Sequence, residues 1–489
     1  MNLRVYNTLT KKIEKFSRVN NDFIGIYNCG PSLTKIHTHI GTLNCYLLSD
    51  ILHRYFKYFG YPVKNIMKVT DVNDAIIDEC GRDKEQMGEN NEKRLKDFKN
   101  ELEQMNFLAP ILFPRVTENI NLIVDYIKIL HEKGLTYSSN GSIYMSVNKL
   151  KNYGQLVNLD KKMSLIKNAQ KRMKGFVMDE KENIYDFCLW KAYKPEVDGN
   201  VFWNEDIGKG RPGWHIGCSS ISQNCLGETF DFHIAGVSHI FPHHENEIAI
   251  AESVTNKKFV NYWLHLDYLL VNGKNMSKKD NTLYTLEQII SKGFNPLVLR
   301  YTLIRTHYRK HQNVTWSAMG DSQLILTKFI IFLNKLDFVT ENKEYQLEIK
   351  EDLDLCEEKI ILSIEDDLNM SNALTALINL TKKINKNINL IGAKQANEIK
   401  QFILKMDDFV GCIRPLYVQY NQNMNKVILK NNLKELINER LEARKNKNFV
   451  KSDEIKKILG SLGLLVIDYT GSPQFYCEFI KFKELNIKQ

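Results

Sequence analysis

The chain has 489 residues, of which 43% are hydrophobic and 10% are aromatic. This composition excludes a disordered protein and leaves room for roughly two to four domains. The formal net charge of +9 arises from 67 basic and 58 acidic residues, so it is compatible with a polyanionic partner but is weak evidence for one.

The cysteine pattern and the hydropathy indicate the cellular compartment of the protein. Nine cysteines are scattered without a CxxC pair, which is typical of a reduced protein in which a few thiols serve as ligands. No apolar run approaches the roughly 18 residues that cross a bilayer, and the N-terminus lacks a signal-peptide pattern. We therefore expect a soluble, cytoplasmic protein with no membrane partner.

The first predicted elements are a strand, a helix and a second strand. Residues 22–30 read as a buried strand ending at a glycine, residues 42–60 as a helix with one apolar stripe, and residues 62–72 as another strand. This spacing predicts a right-handed βαβ unit, which places ligands at the carboxyl ends of its strands. Cys29 and Thr70 lie at those two ends.

The following sequence predicts an insertion and a return to the α/β pattern. Charged, mostly helical segments and hairpin-like pieces such as 135–147 occupy the interval from about 75 to 200. Strand-like sequence resumes at 229–235 and at 261–271, so we expect an α/β domain split by an insertion. After about residue 318 the apolar stripes are helical, with a charged linker near 340–352.

FPHHENEIAIAES, residues 241–253, places two histidines and two glutamates within five positions. On a helix, His243 and Glu247 share a face and can converge on one point. The zinc-protease pattern of two histidines around a glutamate is absent, because the fourth residue after His244 is Ile248. The alternative is a solvated helix start whose charges are favoured by the helix dipole, and this stretch alone does not decide between the two.

Two further segments carry groups suited to nucleotide binding. KIHTHIGTLN (35–44) lies between the first strand and its helix, where the helix dipole and free N–H groups favour phosphate. VNGKNMSKKD (271–280) has three lysines on a glycine-hinged loop after a strand, and such a loop can close over a triphosphate. The alternatives are a capped loop for the first segment and a solvated basic loop for the second.

In combination, these segments resemble class I aminoacyl-tRNA synthetases, and in detail the cysteinyl-tRNA synthetase family. The similar blocks occur in the family's order over nearly the whole chain. They are YNCGPSLTKIHTHIG, TDVNDAII, DFCLWKAYK, GKGRPGWHIGCSS, FDFHIAG, FPHHENEIAIAE, NYWLH, NGKNMSKK, RYTLIRTHYR and LINERLEARKNKNFVKSDEIKKIL. The resemblance implies an α/β fold with a doubly wound parallel, Rossmann-like catalytic domain, followed by a helical bundle and a small C-terminal anticodon-binding region.

The resemblance also implies a division of the chain into six parts and favours a monomer. In chain order the parts are the first half of the catalytic domain, a connective insertion, the second half, a stem-contact region with the NMSKK loop, the helical bundle and the tRNA anticodon-binding region. The corresponding ranges are 1–115, 116–205, 206–265, 266–318, 319–420 and 421–489.

A further implication of the resemblance is one zinc ion in the active site. Its ligands would be Cys29, Cys218, His243 and Glu247, all of ordinary zinc-binding types. The ion would receive the thiolate of L-cysteine, whereas the hydroxyl of serine is a harder and less acidic ligand. Selection through a metal–sulfur bond makes a hydrolytic editing domain unnecessary.

The implied reaction has two steps. The carboxylate of L-cysteine attacks the α-phosphate of ATP and expels pyrophosphate, and the terminal ribose hydroxyl of tRNA(Cys) then takes the cysteinyl group. Positioning and charge stabilisation dominate such transfers, and Mg²⁺ is expected with ATP. The residues implied are His37, His39 and Lys278 for catalysis, these three with Gly41 and Gly236 for ATP, and Gly30, Thr70 and Trp214 for the amino-acid pocket.

Several positions depart from the family's motifs. They are Thr42 for a histidine or asparagine, Gly217 for a glutamate, Ser238 for an aspartate, Asn275 for a lysine and Lys279 for a serine. The implied zinc ligands are complete while the ATP-side motifs differ, so the resemblance supports substrate recognition more firmly than catalytic rate. A tryptophan such as Trp214 is also commonly a core filler.

Two alternative functions remain open at this level. One is a ligase that activates cysteine in the same way and passes it to a small amine; the basic C-terminal segment argues against it. The other is a degenerate synthetase that binds tRNA without catalysis, which the departures at Ser238, Asn275 and Gly217 motivate. The lysine at position 278, retained where charge develops on the leaving pyrophosphate, argues for an active enzyme.

Overall fold

The computed structural model describes residues 2–35, 38–109, 111–157, 181–276, 282–339, 349–430, 433–461, 464–468 and 473–477. The chain forms two units. The first comprises 1–286, 306–313 and 363–369, and the second comprises 287–305, 314–362 and 370–489.

The strands and helices of the first unit alternate in the manner of an α/β domain. The strands are β1 (Arg4–Asn7), β2 (Lys12–Lys15), β3 (Ile24–Ser32), β4 (Val63–Thr70), β5 (Ile111–Leu112), β6 (Thr136–Ser139), β7 (Ser142–Met145), β8 (Phe187–Ala192), β9 (Trp203–Glu205), β10 (Gly208–Pro212), β11 (Phe230–Gly236), β12 (Val260–Leu266), β13 (Leu269–Val271), β14 (Lys274–Asn275) and β15 (Gln312–Val314). The helices are α1 (Ile40–Tyr58), α2 (Asp74–Glu79), α3 (Lys84–Gln104), α4 (Ile120–Glu132), α5 (Pro195–Asp198), α6 (Ile216–Leu226) and α7 (Glu245–Thr255).

A five-stranded sheet in the order β12-β11-β3-β4-β5 forms the centre of this unit. All its neighbouring strands are parallel, and they are buried along most of their length, as expected for a parallel sheet covered by helices. Helix α1 connects β3 to β4, and α7 connects β11 to β12. The strand order reverses between β3 and β11, so the carboxyl ends of these two strands flank the switch point at which doubly wound sheets bind ligands.

The predicted α/β pattern is confirmed, with one correction. The segment 261–271, predicted as one strand, forms β12 and β13. The chain leaves the parallel sheet after Leu266, where the amide of Asp267 donates to Tyr308 O at 2.9 Å. Beyond this turn β13 pairs with β14 in antiparallel fashion instead of extending β12.

The insertion is an antiparallel sheet with the strand order β6-β7-β8-β10-β9. The hairpin expected within 135–147 is present as β6 and β7. Strand β10 ends at Pro212, so the sheet continues past residue 205, the expected end of the insertion. The six-part division of the chain otherwise stays a prediction.

The second unit is predominantly helical among its described residues. Its helices are α8 (Leu286–Ser291), α9 (Pro296–Ile304), α10 (Trp316–Asp337), α11 (Ile349–Glu365), α12 (Met370–Lys386), α13 (Ala393–Val410), α14 (Ile413–Lys430), α15 (Leu433–Lys445) and α16 (Phe449–Ser461), followed by the strands β16 (Leu464–Asp468) and β17 (Pro473–Cys477). Thr315 caps α10 by accepting from Ala318 N at 3.0 Å. This start agrees with the predicted change to helical sequence near 318.

Candidate active site and metal centre

The candidate site lies at the carboxyl ends of the central strands of the parallel sheet. Cys29 is near the end of β3 and Thr70 ends β4. Cys218 is in the first turn of α6, which packs against both strands. His243 and Glu247 come from the segment that follows β11, and all of these elements belong to the first unit.

The four residues expected to hold zinc converge. One ligand atom from each of Cys29, Cys218, His243 and Glu247 lies within 4.8 Å of the other three. The two sulfurs are 3.9 Å apart, and His243 Nε2 is 3.4 Å from Cys29 Sγ and 3.5 Å from Cys218 Sγ. Glu247 Oε1 is 3.4 Å from Cys29 Sγ and 2.8 Å from His243 Nε2.

These separations fit the edges of a tetrahedral zinc site. Bond lengths of about 2.3 Å to sulfur and about 2.0 Å to nitrogen correspond to edges of about 3.8 Å between two sulfurs and about 3.6 Å between sulfur and nitrogen. The observed sulfur–sulfur and sulfur–nitrogen distances are close to these values. The His243–Glu247 pair, at 2.8 Å, is closer than two zinc ligands would be, at about 3.3 Å.

Burial decides how the FPHHENE segment is read. His243, His244, Glu245, Asn246 and Glu247 are each at most 2% exposed, so the alternative of a solvated helix start is wrong. Residues 240–244 form a wide, π-type turn that contains one extended residue, and the regular helix α7 begins only after it. His243 and Glu247, four residues apart, still converge as predicted, because the wide turn leads directly into the helix.

Burial and neighbouring charges shift the pKa values of the four expected ligands in different directions. Burial would raise the pKa of Glu247, but His243 and His233 hold it well below its usual value. Burial would also raise the pKa of the Cys218 thiol, but the hydrogen bond from Cys29 and the charge of Lys68 lower it well below its ordinary value. Burial and the hydrogen bond to Cys218 raise the pKa of the Cys29 thiol well above its ordinary value. Burial would lower the pKa of His243, but Glu247 and Cys218 raise it to about 9. A cation requires deprotonated ligands, so metal binding would have to displace protons from Cys29 and His243.

Two histidines that the sequence analysis did not single out complete the surroundings. His233 Nε2 lies 2.8 Å from Glu247 Oε2, so it orients the carboxylate oxygen that does not face His243. His215 Nδ1 lies 2.7 Å from His243 Nδ1, and both His215 and His233 are buried. Such partners of metal ligands orient them and tune their affinity. The sequence offered a signal for His215: it lies three residues before the expected ligand Cys218, which places both residues on the same side of a helix start.

A second set of potential ligands overlaps the first. Cys29, His233, His244 and Glu247 also lie within 4.8 Å of one another. His244 Nδ1 is 2.8 Å from His265 Nε2, and His265 Nδ1 is 2.8 Å from Thr8 Oγ1. The two sets share Cys29 and Glu247, so they compete for one ion.

The residues expected in the amino-acid pocket lie beside the metal ligands. A Cβ atom at Gly30 would come within 1.8 Å of Lys68 O, so the backbones of β3 and β4 approach closely just after Cys29. Thr70 Oγ1 accepts from Lys68 Nζ at 2.9 Å. The ring of Trp214 is 55% exposed and stacks on that of His243 at 4.2 Å, which is not the environment of a core filler.

Residues expected to contact ATP gather at the start of α1. His39 caps this helix, its Nδ1 accepting from Thr42 N at 3.2 Å, and burial lowers the pKa of His39. Gly41 lies under the side chain of Met276. His39 also forms a β-bridge with Thr285. Met276 and Thr285 therefore both lie against the start of α1.

Gly236 belongs to the same region, since a Cβ atom there would be 3.6 Å from Cys45 Sγ of α1. His37, Lys278 and Lys279 lie outside the described residues, so their roles stay predictions. Of the other departures from the family motifs, Gly217 faces Val116 and Ile123, and Ser238 Oγ is 3.4 Å from His239 Nδ1.

The described helices include none that is both long enough and apolar enough to cross a membrane.

The family model for the class I (C) tRNA synthetase catalytic domain matches residues 15–324, and the DALR domain model matches residues 359–413. The cysteine–tRNA ligase of Brachyspira hyodysenteriae is 38% identical over 471 residues, covering 95% of this chain and 97% of that protein. That of Protochlamydia amoebophila is 32% identical over 473 residues, covering 95% and 96%.

A solved structure of methionyl-tRNA synthetase from Mycobacterium tuberculosis, in complex with methionyl-adenylate, shares the fold. The TM-score is 0.56 at 12% identity, with 81% of this chain and 91% of that chain covered. The sequence blocks, the parallel sheet with its insertion and the identity to curated relatives agree, and the chain belongs to the cysteine–tRNA ligase family of class I aminoacyl-tRNA synthetases.

Proposed function

We propose that this chain activates L-cysteine with ATP and transfers the cysteinyl group to the 3′ end of tRNA(Cys), and that a zinc ion selects the cysteine thiol. The relatives named cysteine–tRNA ligase support the reaction. The observation that carries the role of the metal is the convergence of Cys29, Cys218, His243 and Glu247, because these residues come from three separate stretches of the chain and are buried or nearly so.

The donor set suits zinc and a thiol substrate. Two thiolates with one imidazole and one carboxylate form a mixed set of the type that zinc accepts. When bound, the ion would act as a Lewis acid that binds the amino acid's sulfur as thiolate. Serine has a similar size but a hydroxyl of much higher pKa, so it would gain little from this interaction.

The chain's own residues would then position the reacting groups. Gly30 and Thr70 lie beside the metal ligands, and Trp214 covers His243. The start of α1, with His39 and Gly41, supplies the positive end of a helix dipole, which favours phosphate. Lys278 and His37 would stabilise charge on the phosphates, with Mg²⁺ accompanying ATP.

The proposal is tested by cysteine-dependent exchange of pyrophosphate into ATP, measured side by side with serine. Wild type should contain one zinc ion and respond to cysteine but not to serine. The Cys218→Ser variant should lose the ion or hold it much more weakly, and its exchange should fall with it. The matched control is Cys225→Ser, which alters a half-buried cysteine of the same helix and should leave both readouts unchanged.

Three outcomes would count against parts of the proposal. Zinc retention by Cys218→Ser would remove the metal assignment. A wild-type protein that binds zinc but shows no exchange would be a degenerate synthetase. Exchange without charging of tRNA would favour the ligase that uses a small amine.

A further inference from the structure

Lys68 is a buried cation beside the candidate metal centre that the sequence analysis did not single out. It lies in β4, is 2% exposed, and pairs with Cys29 of β3 in the parallel register. Paired residues of neighbouring strands point to the same face of the sheet, so the lysine and the thiol share a face. Thr70 lies two residues further along β4 and therefore on the same face. Lys68 Nζ donates a hydrogen bond to Thr70 Oγ1 at 2.9 Å.

The partners of this ammonium group are unusual for a buried lysine. Among the described residues, its hydrogen bond to Thr70 is to a neutral oxygen, whereas lysines are seldom fully buried unless they are paired with an anion. The strand register places the thiol of Cys29, one of the four residues expected to hold the metal, on the same face as this ammonium group. The anionic groups of the metal centre are therefore the partners that the fold offers to the charge of Lys68.

The sum of the charges at the metal centre indicates what the positive charge of Lys68 does beside it. Two thiolates and a carboxylate carry three negative charges, and a divalent ion leaves the centre with one negative charge. The thiolate of L-cysteine would bring a second. A buried site tolerates such an excess poorly unless a countercharge is present, and Lys68 is the ammonium group that shares the face of Cys29 with the pocket residue Thr70.

We infer that Lys68 is a positioning and specificity residue for the amino-acid substrate. Its fixed positive charge offsets the negative charge of the incoming thiolate at the metal centre, and its hydrogen bond to Thr70 orients the pocket. This inference rests on the proposed function. The proposed role of Lys68 can be distinguished from a purely structural one. A lysine that only fills space could be replaced by a methionine of similar shape without loss of thiol binding.

The test uses the full-length protein loaded with cobalt(II) in place of zinc. Binding of L-cysteine is followed by the increase in thiolate-to-cobalt charge-transfer absorption above that of the two resident thiolates, with L-serine as the non-thiol comparison. The neutral variants are Lys68→Met, which keeps the shape, and Lys68→Gln, which keeps a hydrogen-bond donor. The control is Lys64→Met, on the same strand, whose side chain donates to Cys225 O away from the centre; Lys68→Arg retains the charge.

With cobalt(II) in excess, both neutral variants should still bind one metal ion, although less tightly because the charge of Lys68 also favours the Cys218 thiolate. They should bind L-cysteine roughly ten- to a hundredfold more weakly, the usual consequence of removing a charged hydrogen-bonding group. In pyrophosphate exchange the KM for cysteine should rise more than kcat falls. Lys68→Arg should recover part of the affinity, and Lys64→Met should match wild type.

Either of two results would overturn the inference. The first is cysteine binding within threefold of wild type by a metal-loaded neutral variant. The second is loss of the metal from both neutral variants, since the charge would then serve the resident ligands and not the substrate. Failure of the proposed function is separate: it would appear in the wild-type protein as equal binding of cysteine and serine, or as metal retained by Cys218→Ser.

Discussion

At position 30 a side chain has no room, because the neighbouring strand already occupies the space. A Cβ atom there would meet the backbone of Lys68, and backbone cannot rotate away as a long side chain can. The close approach sets the distance between Cys29 on β3 and the residues of β4 that face the candidate pocket. A glycine at this position is therefore a requirement of the site as well as of the fold.

Gly30→Ala should lower the free energy of unfolding by about 3 kcal/mol or more, since an overpacked site must move whole strands apart. The matched control is Gly88→Ala in α3, where a Cβ atom meets nothing within 4 Å. That change should stabilise the protein by about 0.5–1 kcal/mol, the difference in helix propensity between the two residues. Urea unfolding of both variants checks the prediction, and equal stabilities would contradict it.

His215 should influence the metal although it is not one of the four ligands. Its Nδ1 contact with His243 orients the ligand ring, and such partners are typically worth 10- to 100-fold in metal affinity. His215→Ala should weaken zinc binding by about this factor, measured by competition with a chromophoric chelator. The exposed His131 offers a control, His131→Ala, that should leave zinc affinity unchanged. Wild-type affinity in a folded His215→Ala protein would show that the contact is incidental.

At the scale of elements, the buried carboxylate of Asp407 joins two helices of the second unit. Asp407 is in the last turn of α13 and accepts from the amides of Cys412, Ile413 and Arg414 at 2.9, 2.7 and 2.8 Å. These are the orphan N–H groups at the start of α14. The side chain therefore acts as the N-terminal cap of α14 and fixes the short connection between the helices.

Asp407→Ala should reduce the free energy of unfolding of the second unit by about 3 kcal/mol, because buried N–H groups lose a charged acceptor. Its neighbour Asp408 provides the control. The Asp408 side chain is 52% exposed and pairs with the equally exposed Arg414, so Asp408→Ala should change stability by no more than about 0.5 kcal/mol. Far-ultraviolet circular dichroism during urea unfolding measures both, and a small effect of Asp407→Ala would argue that water replaces the cap.

For the whole molecule, the excess of 67 basic over 58 acidic residues has a measurable consequence if tRNA is the acceptor. Binding of a nucleic acid releases counterions, so the affinity falls steeply with salt. Raising KCl from 50 to 200 mM should weaken tRNA(Cys) binding at least about tenfold. Activation of cysteine without tRNA should change far less over this range. Weak, salt-independent association with tRNA would favour the alternative ligase.

The sequence by itself determined the first strands and helix of the catalytic unit and their order. Strand β3, helix α1 and strand β4 begin and end within two residues of their predicted ranges, because burial patterns of period 2 and 3.6 are written in neighbouring residues. The prediction that His243 and Glu247 converge likewise rested on residues that are close in sequence. The expected ligand role of Cys29 and Cys218, 189 residues apart, came instead from resemblance to a family, since spacing along the chain says nothing about such distant pairs.

Only the tertiary structure decided what surrounds these residues. The register of β3 against β4 brings Lys68 beside Cys29, and the packing of α6 and α7 buries the acidic and imidazole groups that the sequence alone allowed to be solvated. His215 and His233 acquire their contacts in the same way. The physical reason is that charge states and metal affinity depend on distance and burial in three dimensions, and both are set by strand register and helix packing between remote parts of the chain.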